Sequence, residues 1–155
     1  MTSYEKLEAE ACEDGVEIIY KKFNSERLKA LYCDGMIALN SNLKTDAEKS
    51  CILAEELGHY HTSSGDITDY QEVSNKKQEL QARIWAYNKK IGLMGIVRAF
   101  EHGCKSLYES AEFLEVTEQF LQDALECYRQ KYGHMAVIDN YVIYFIPTLG
   151  VLKIQ

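Results

Sequence analysis

The stretch that says most about how this chain folds is Ala54-Glu55-Glu56-Leu57-Gly58-His59-Tyr60-His61. It differs by one residue from H-E-x-x-H, in which two histidines on one helix face bind zinc and the glutamate activates a water molecule. Glu56 and His59 occupy the glutamate and second-histidine positions, and Glu55 replaces the first histidine. Because residues i and i+4 of a helix share a face, Glu55 and His59 are predicted to project together. The pattern predicts a metal site, and the alternative is a helix with two solvated glutamates and a histidine buried in a core.

The composition predicts one globular cytoplasmic domain. The chain has 155 residues, 46% of them hydrophobic and 26% charged, which is enough for a hydrophobic core. Its net charge of -7, without a visible basic cluster, argues against a nucleic-acid partner. The five cysteines are widely spaced and form no C-x-x-C pair, a usage typical of reduced thiols in the cytoplasm. The acidic N-terminus is unlike a signal peptide. A membrane span needs about 18 uncharged apolar residues in a row, and no run in the sequence is that long, so no membrane partner is expected.

Local patterns predict an α+β order of elements. Asp34-Gly35 joins the apolar runs Leu28–Cys33 and Met36–Asn40, which predicts a β-hairpin. Thr45 and Glu48 form a capping box that starts the motif helix, and this helix is predicted to end near residues 62–65. The other predicted elements are a helix over Tyr4–Cys12, a strand over Val16–Lys21, a helix over Ser74–Gly103 weakened at Gly92 and Gly95, helices capped by Ser106 and Thr117, and two short strands around Asp139-Asn140.

Three stretches resemble the ImmA/IrrE family of metallopeptidases, which are small cytoplasmic proteins of phages, mobile elements and some bacterial chromosomes. Cys51–Tyr60 is similar to the active helix of the family, except at Glu55. The stretch Glu79-Leu80-Gln81-Ala82-Arg83-Ile84-Trp85-Ala86 is similar to the downstream signature E-x-x-A-N-x-F-A, with Arg for Asn and Trp for Phe. The helical pair over Ser106–Tyr132 resembles the helix-turn-helix-like portion of the family.

The resemblance covers most of the chain and implies a fold. It predicts a single zincin-like domain over residues 1–155, with a small antiparallel sheet or hairpin. A helical bundle would carry the motif helix and the helix-turn-helix-like pair.

The resemblance also implies a ligand set. The glutamate of the downstream signature is the third metal ligand of the family, and it carries over to Glu79. The predicted ligands are then Glu55, His59 and Glu79, with a water at the fourth position and Glu56 as the catalytic base. Two carboxylates make a harder site than two histidines, so manganese or another divalent cation is an alternative to zinc. The alternative to a metal-bound protein is a metal-free one.

Two further residues are backup ligands or side chains that orient a ligand, and one strand is a candidate for substrate binding. His61 faces away from His59 on a continuous helix, so packing is the alternative role. Asp66 either orients His59 or caps a turn. The substrate-strand candidate comprises Met36, Ile37, Ala38 and Leu39, which would pair with an extended peptide unless they form an ordinary exposed edge.

By family analogy the protein hydrolyses a peptide bond in a cytoplasmic protein, with a helix-turn-helix repressor of a phage or mobile element as the expected substrate. The alternative is a pseudopeptidase that binds such a regulator without cutting it. DNA binding through the helical pair is disfavoured, because residues 105–133 contain six acidic and three basic side chains.

Overall fold

The computed structural model describes residues 1–62 and 72–154. The chain divides into two compact units, Met1–Ala86 and Tyr87–Gln155. The elements are α1 Ser3–Glu13, β1 Glu17–Lys21, β2 Ala30–Cys33, β3 Met36–Asn40, α2 Asp46–Thr62, α3 Glu72–Lys90, α4 Gly92–His102, α5 Leu107–Leu114, α6 Glu118–Tyr132, β4 Met135–Ile138, β5 Tyr141–Tyr144 and β6 Gly150–Lys153. This mixture confirms the predicted α+β class. In the part of the chain that the structure describes, no helix is both long and apolar enough to cross a membrane.

The first unit contains a three-stranded sheet of order β1-β3-β2. The predicted hairpin is confirmed, because β2 and β3 pair antiparallel through a turn in which Asp34 and Gly35 both have positive φ. Strand β1 adds to the other side of β3 in parallel orientation, so the sheet is mixed rather than purely antiparallel. A parallel neighbour needs a crossover connection, and the hairpin signal carries no information about it.

The position of β3 overturns the predicted substrate strand. Met36, Ile37, Ala38 and Leu39 form the centre of the sheet, with β1 on one side and β2 on the other. Their backbone hydrogen-bonding groups are therefore used within the sheet and cannot receive a substrate strand. The edge strands are β1 and β2.

The motif helix α2 starts where the capping box predicts. Thr45 Oγ1 accepts a hydrogen bond from Glu48 N at 3.1 Å, and Glu48 Oε2 accepts one from Lys44 N at 3.3 Å. The helix packs against α1 and against β2 and β3. Its buried residues are Ser50, Cys51, Leu53, Ala54, Leu57 and Gly58.

In the second unit, the helix predicted over residues 74–103 is interrupted. Gly92 has φ +64°, a left-handed conformation that ends α3 and starts α4. Gly92 N donates a hydrogen bond to the Tyr128 hydroxyl at 3.2 Å. The predicted caps are confirmed, since Ser106 and Thr117 accept hydrogen bonds from the first turns of α5 and α6. A sheet of order β4-β5-β6 follows, with β6 as a third strand that the sequence did not predict.

Candidate functional site

The site depends on a close approach of α2 and α3 at Gly58. A Cβ atom built on Gly58 would lie 2.2 Å from the backbone oxygen of Ala82, far inside van der Waals contact. Only glycine therefore fits at this position while the two helices keep their separation. Ala82 is fully buried, with 0% exposure, so the contact lies in the interior of the first unit. The approach places the residue after Gly58 on α2 beside the preceding turn of α3.

His59 and Glu79 meet at this crossing. His59 Nε2 lies 3.1 Å from Glu79 Oε2, and the two side chains are 29% and 45% exposed. Two ligand atoms that bind one tetrahedral ion at about 2.0–2.1 Å are roughly 3.3–3.4 Å apart. The observed separation is close to that spacing, and both groups are accessible from solvent. Two of the predicted ligands, twenty positions apart in sequence, are thus brought together.

Glu56, the predicted base, is half-buried next to this pair. Burial raises the pKa of the Glu56 carboxyl above its ordinary value, His59 lowers this pKa by charge attraction, and Glu79 raises it by repulsion. The net effect favours the protonated form relative to a free glutamate. A carboxyl group with a raised pKa accepts and returns a proton near neutral pH more readily than an ordinary one.

The structure brings together two of the three predicted ligands, His59 and Glu79. Glu55 is half-buried on α2, one turn before His59. Among residues 1–62 and 72–154, no group of three or more histidine, cysteine, aspartate or glutamate side chains is arranged to hold a metal ion. Glu55 therefore stays a predicted ligand. Asp66, the other candidate for orienting His59, lies outside the described residues.

A further charged group touches Glu79. Arg83 Nε lies 3.4 Å from Glu79 Oε1, and these side chains are 53% and 45% exposed. The sequence contained the signal, because an acidic and a basic residue four positions apart on a helix form an ion pair. Sequence reasoning treated Arg83 only as a departure from the signature. The carboxylate of Glu79 is thus shared between an imidazole and a guanidinium.

His61 belongs to a separate cluster. Its ring stacks on the Trp85 ring with centroids 4.8 Å apart and planes 19° from parallel. His61 Nε2 also lies 3.4 Å from Asp14 Oδ2 at the end of α1. The ring therefore packs α2 against α3 and α1, and these contacts support the packing role rather than a ligand role.

Residues 11–126 match the sequence model of the peptidase M78 family, described as the IrrE N-terminal-like domain. The match covers well over half of the chain and includes both helices of the site. The chain belongs to this peptidase family. The match confirms the resemblance to the ImmA/IrrE family and, with the mixed elements, the zincin-like fold class. No curated protein matches the chain.

Membership of the M78 family implies a divalent metal, and the donor chemistry at the crossing fits one. An imidazole nitrogen and a carboxylate oxygen are ordinary ligands of such ions, and the 3.1 Å between them suits a shared ion. The pair would supply two of the three protein ligands that a catalytic zinc site needs. The close contact at Gly58 holds these two side chains beside each other.

Proposed function

We propose that this chain is a metal-dependent endopeptidase that cleaves a cytoplasmic protein, with a helix-turn-helix repressor of a phage or mobile element as its substrate. The observation that carries the proposal is the convergence of His59 and Glu79, at 3.1 Å, beside the half-buried Glu56. Membership of the M78 peptidase family supports the same reading. Zinc is the first candidate for the ion. Manganese is the second, because carboxylates outnumber imidazoles in the proposed ligand set and carboxylates suit manganese.

The residues have separate roles in this proposal. His59 and Glu79 would hold the ion, and Glu55 is the proposed third ligand. When bound, the ion supplies Lewis-acid polarisation of the scissile carbonyl. Glu56 takes a proton from the attacking water and delivers it to the leaving amine. Its raised pKa suits this exchange, because the same group must both accept and release a proton.

The substrate backbone binds to β2 in this proposal, in place of the central strand β3. Within the described residues, β2 pairs with β3 alone, so its outer edge is open to an extended peptide. Leu31 and Tyr32 on this strand are 50% and 40% exposed. The Tyr32 ring lies 6.1 Å from the ring of Tyr60, the residue after His59, so this edge lies near the motif helix.

The test is cleavage of a co-expressed helix-turn-helix repressor by the wild type, Glu56→Gln and Glu55→His, with the metal content measured for each protein. Wild-type cleavage should be lost in Glu56→Gln, while the fold and metal content persist. Glu55→His should raise zinc affinity, because it restores a neutral imidazole ligand. Robust cleavage by Glu56→Gln would exclude the proposed mechanism.

A second candidate is a pseudopeptidase that binds the repressor without cutting it. Two observations favour it, namely that no three-ligand group forms among the described residues and that Arg83 contacts Glu79. In that case the wild type leaves the repressor intact, and the repressor still co-purifies with it. Glu56→Gln should then leave the affinity for the repressor unchanged.

A further inference from the structure

Each carboxylate oxygen of Glu79 has its own basic partner. Oε2 lies 3.1 Å from His59 Nε2, and Oε1 lies 3.4 Å from Arg83 Nε. Arg83 follows Glu79 by one helical turn, and both side chains line a shallow surface depression together with Lys76 and Leu80. A cation that approaches Glu79 from solvent therefore meets a guanidinium that already contacts the same carboxylate.

We propose that Arg83 sets the metal affinity of this site by competing with the ion for Glu79; the inference rests on the metal binding proposed above. The competition has two physical parts. The ion has to displace or share the contact between the guanidinium and Oε1 of Glu79. The ion and the guanidinium also repel each other, since both are positively charged.

The size of the effect follows from the charges. For scale, charges of +2 and +1 that are about 6 Å apart in a water-like dielectric repel each other by an amount that would weaken binding about tenfold. The half-exposed side chains of Glu79 and Arg83 justify the water-like value. Mobile salt screens exposed charges, so the effect should shrink as ionic strength rises from about 0.01 M to 1 M. A purely structural role for Arg83 would not produce this salt dependence.

The experiment titrates Mn²⁺ and Zn²⁺ into the full chain by isothermal titration calorimetry at low and high salt. The proteins compared are the wild type, Arg83→Gln, Arg83→Lys and Lys22→Gln. Arg83→Gln removes the charge and the contact, whereas Arg83→Lys keeps the charge. Lys22→Gln removes one positive charge from an exposed position after β1, which controls for net charge. The emission of Trp85, the single tryptophan, gives a second readout at the α2–α3 contact.

Arg83→Gln should bind each ion about tenfold more tightly than the wild type at low salt, and less than threefold more tightly at high salt. Arg83→Lys should bind with close to wild-type affinity, and Lys22→Gln should match the wild type. Equal or weaker binding by Arg83→Gln would overturn the inference, as would the absence of binding by every variant. Cleavage is scored separately on the repressor. Tighter binding by Arg83→Gln without cleavage supports the inference about Arg83 and contradicts the proposed peptidase activity. Metal-dependent cleavage with unchanged metal affinity in Arg83→Gln supports the peptidase activity and contradicts the inference.

Discussion

Gly58→Ala should separate the two helices that carry the site. The added Cβ would lie 2.2 Å from the Ala82 oxygen, 2.9 Å from its carbonyl carbon and 3.1 Å from its Cα. All three are backbone atoms, so no side-chain rotation relieves the clash. The contact has to open by about 1 Å before the atoms reach van der Waals range.

The cost of this opening can be set against the gain from alanine. Overpacking of a tight interior contact costs about 1–3 kcal/mol. Alanine in place of glycine inside a helix returns up to about 1 kcal/mol. Because the 2.2 Å contact is with backbone atoms, the upper part of the overpacking range applies, and the free energy of unfolding should fall by about 1–2 kcal/mol. An opening of about 1 Å would also spread His59 and Glu79 beyond the spacing that suits a shared ion, and misplacement of this size can cost about a hundredfold in activity.

Urea denaturation measures the change in stability, and calorimetric titration with Zn²⁺ or Mn²⁺ measures the loss of metal affinity. Trp85 emission reports the α2–α3 contact directly, because its ring stacks on His61 of α2. Gly95→Ala is the matched control in helix α4. Its new Cβ would lie 3.4 Å from side-chain atoms of Ile91 and Leu114, which is close to ordinary contact, so this variant should gain about 0.5–1 kcal/mol.

A second-site variant sharpens the test. Ala82→Gly combined with Gly58→Ala should not restore stability, because the clash involves the backbone of residue 82 rather than its methyl group. The reasoning is refuted if Gly58→Ala unfolds within about 0.5 kcal/mol of the wild type and leaves Trp85 emission unchanged.

Three other perturbations have defined outcomes. Burial raises the pKa of Glu56, so its ionisation lowers the stability of the folded protein as the pH rises through the folded-state pKa. Glu56→Gln should therefore raise the free energy of unfolding of the metal-free protein at pH 7 by about 0.5–2 kcal/mol, as measured by urea denaturation. Burial also raises the pKa of Tyr128, so the stability contributed by the neutral phenol is complete below about pH 10 and is lost at higher pH. Tyr128→Phe should therefore flatten the fall in melting temperature at alkaline pH. The variant also loses the hydrogen bond to Asn88, which should cost about 1 kcal/mol at pH 7. His61→Ala should shift Trp85 emission to longer wavelength and cost about 0.5–1.5 kcal/mol, and an unshifted spectrum would contradict the stacking.

Local physics made several elements predictable from the sequence. The hairpin follows from Asp34-Gly35, since a two-residue turn with positive φ admits few residue types. Helix starts follow from Thr45, Ser106 and Thr117, whose hydroxyl oxygens accept the first backbone amides of their helices. The spacing of Glu55, Glu56 and His59 predicted a helical site for the same reason, because these residues lie within two turns of one helix.

Tertiary packing determined how the elements pair with and contact one another. The exclusion of β3 from substrate pairing depends on β1 joining the sheet in parallel, a pairing between two strands that are separated in sequence by β2. The break at Gly92 goes with a hydrogen bond from Gly92 N to the Tyr128 hydroxyl of α6, and β6 depends on pairing with β5. Intrinsic propensity cannot predict these features, since each depends on contacts between separate elements.

The candidate site also combines features that the sequence predicts with features that only the tertiary structure determines. The sequence by itself determined that α2 carries Glu56 and His59 on adjoining faces, because helical periodicity is local. The family resemblance nominated Glu79, but its distance from His59 depends on how closely α2 approaches α3. That approach is set by the missing side chain of Gly58 against the Ala82 backbone, and the partnership of Arg83 with Glu79 matters only once Glu79 faces His59. Helix separation is a property of packed surfaces, so only the tertiary structure could determine it.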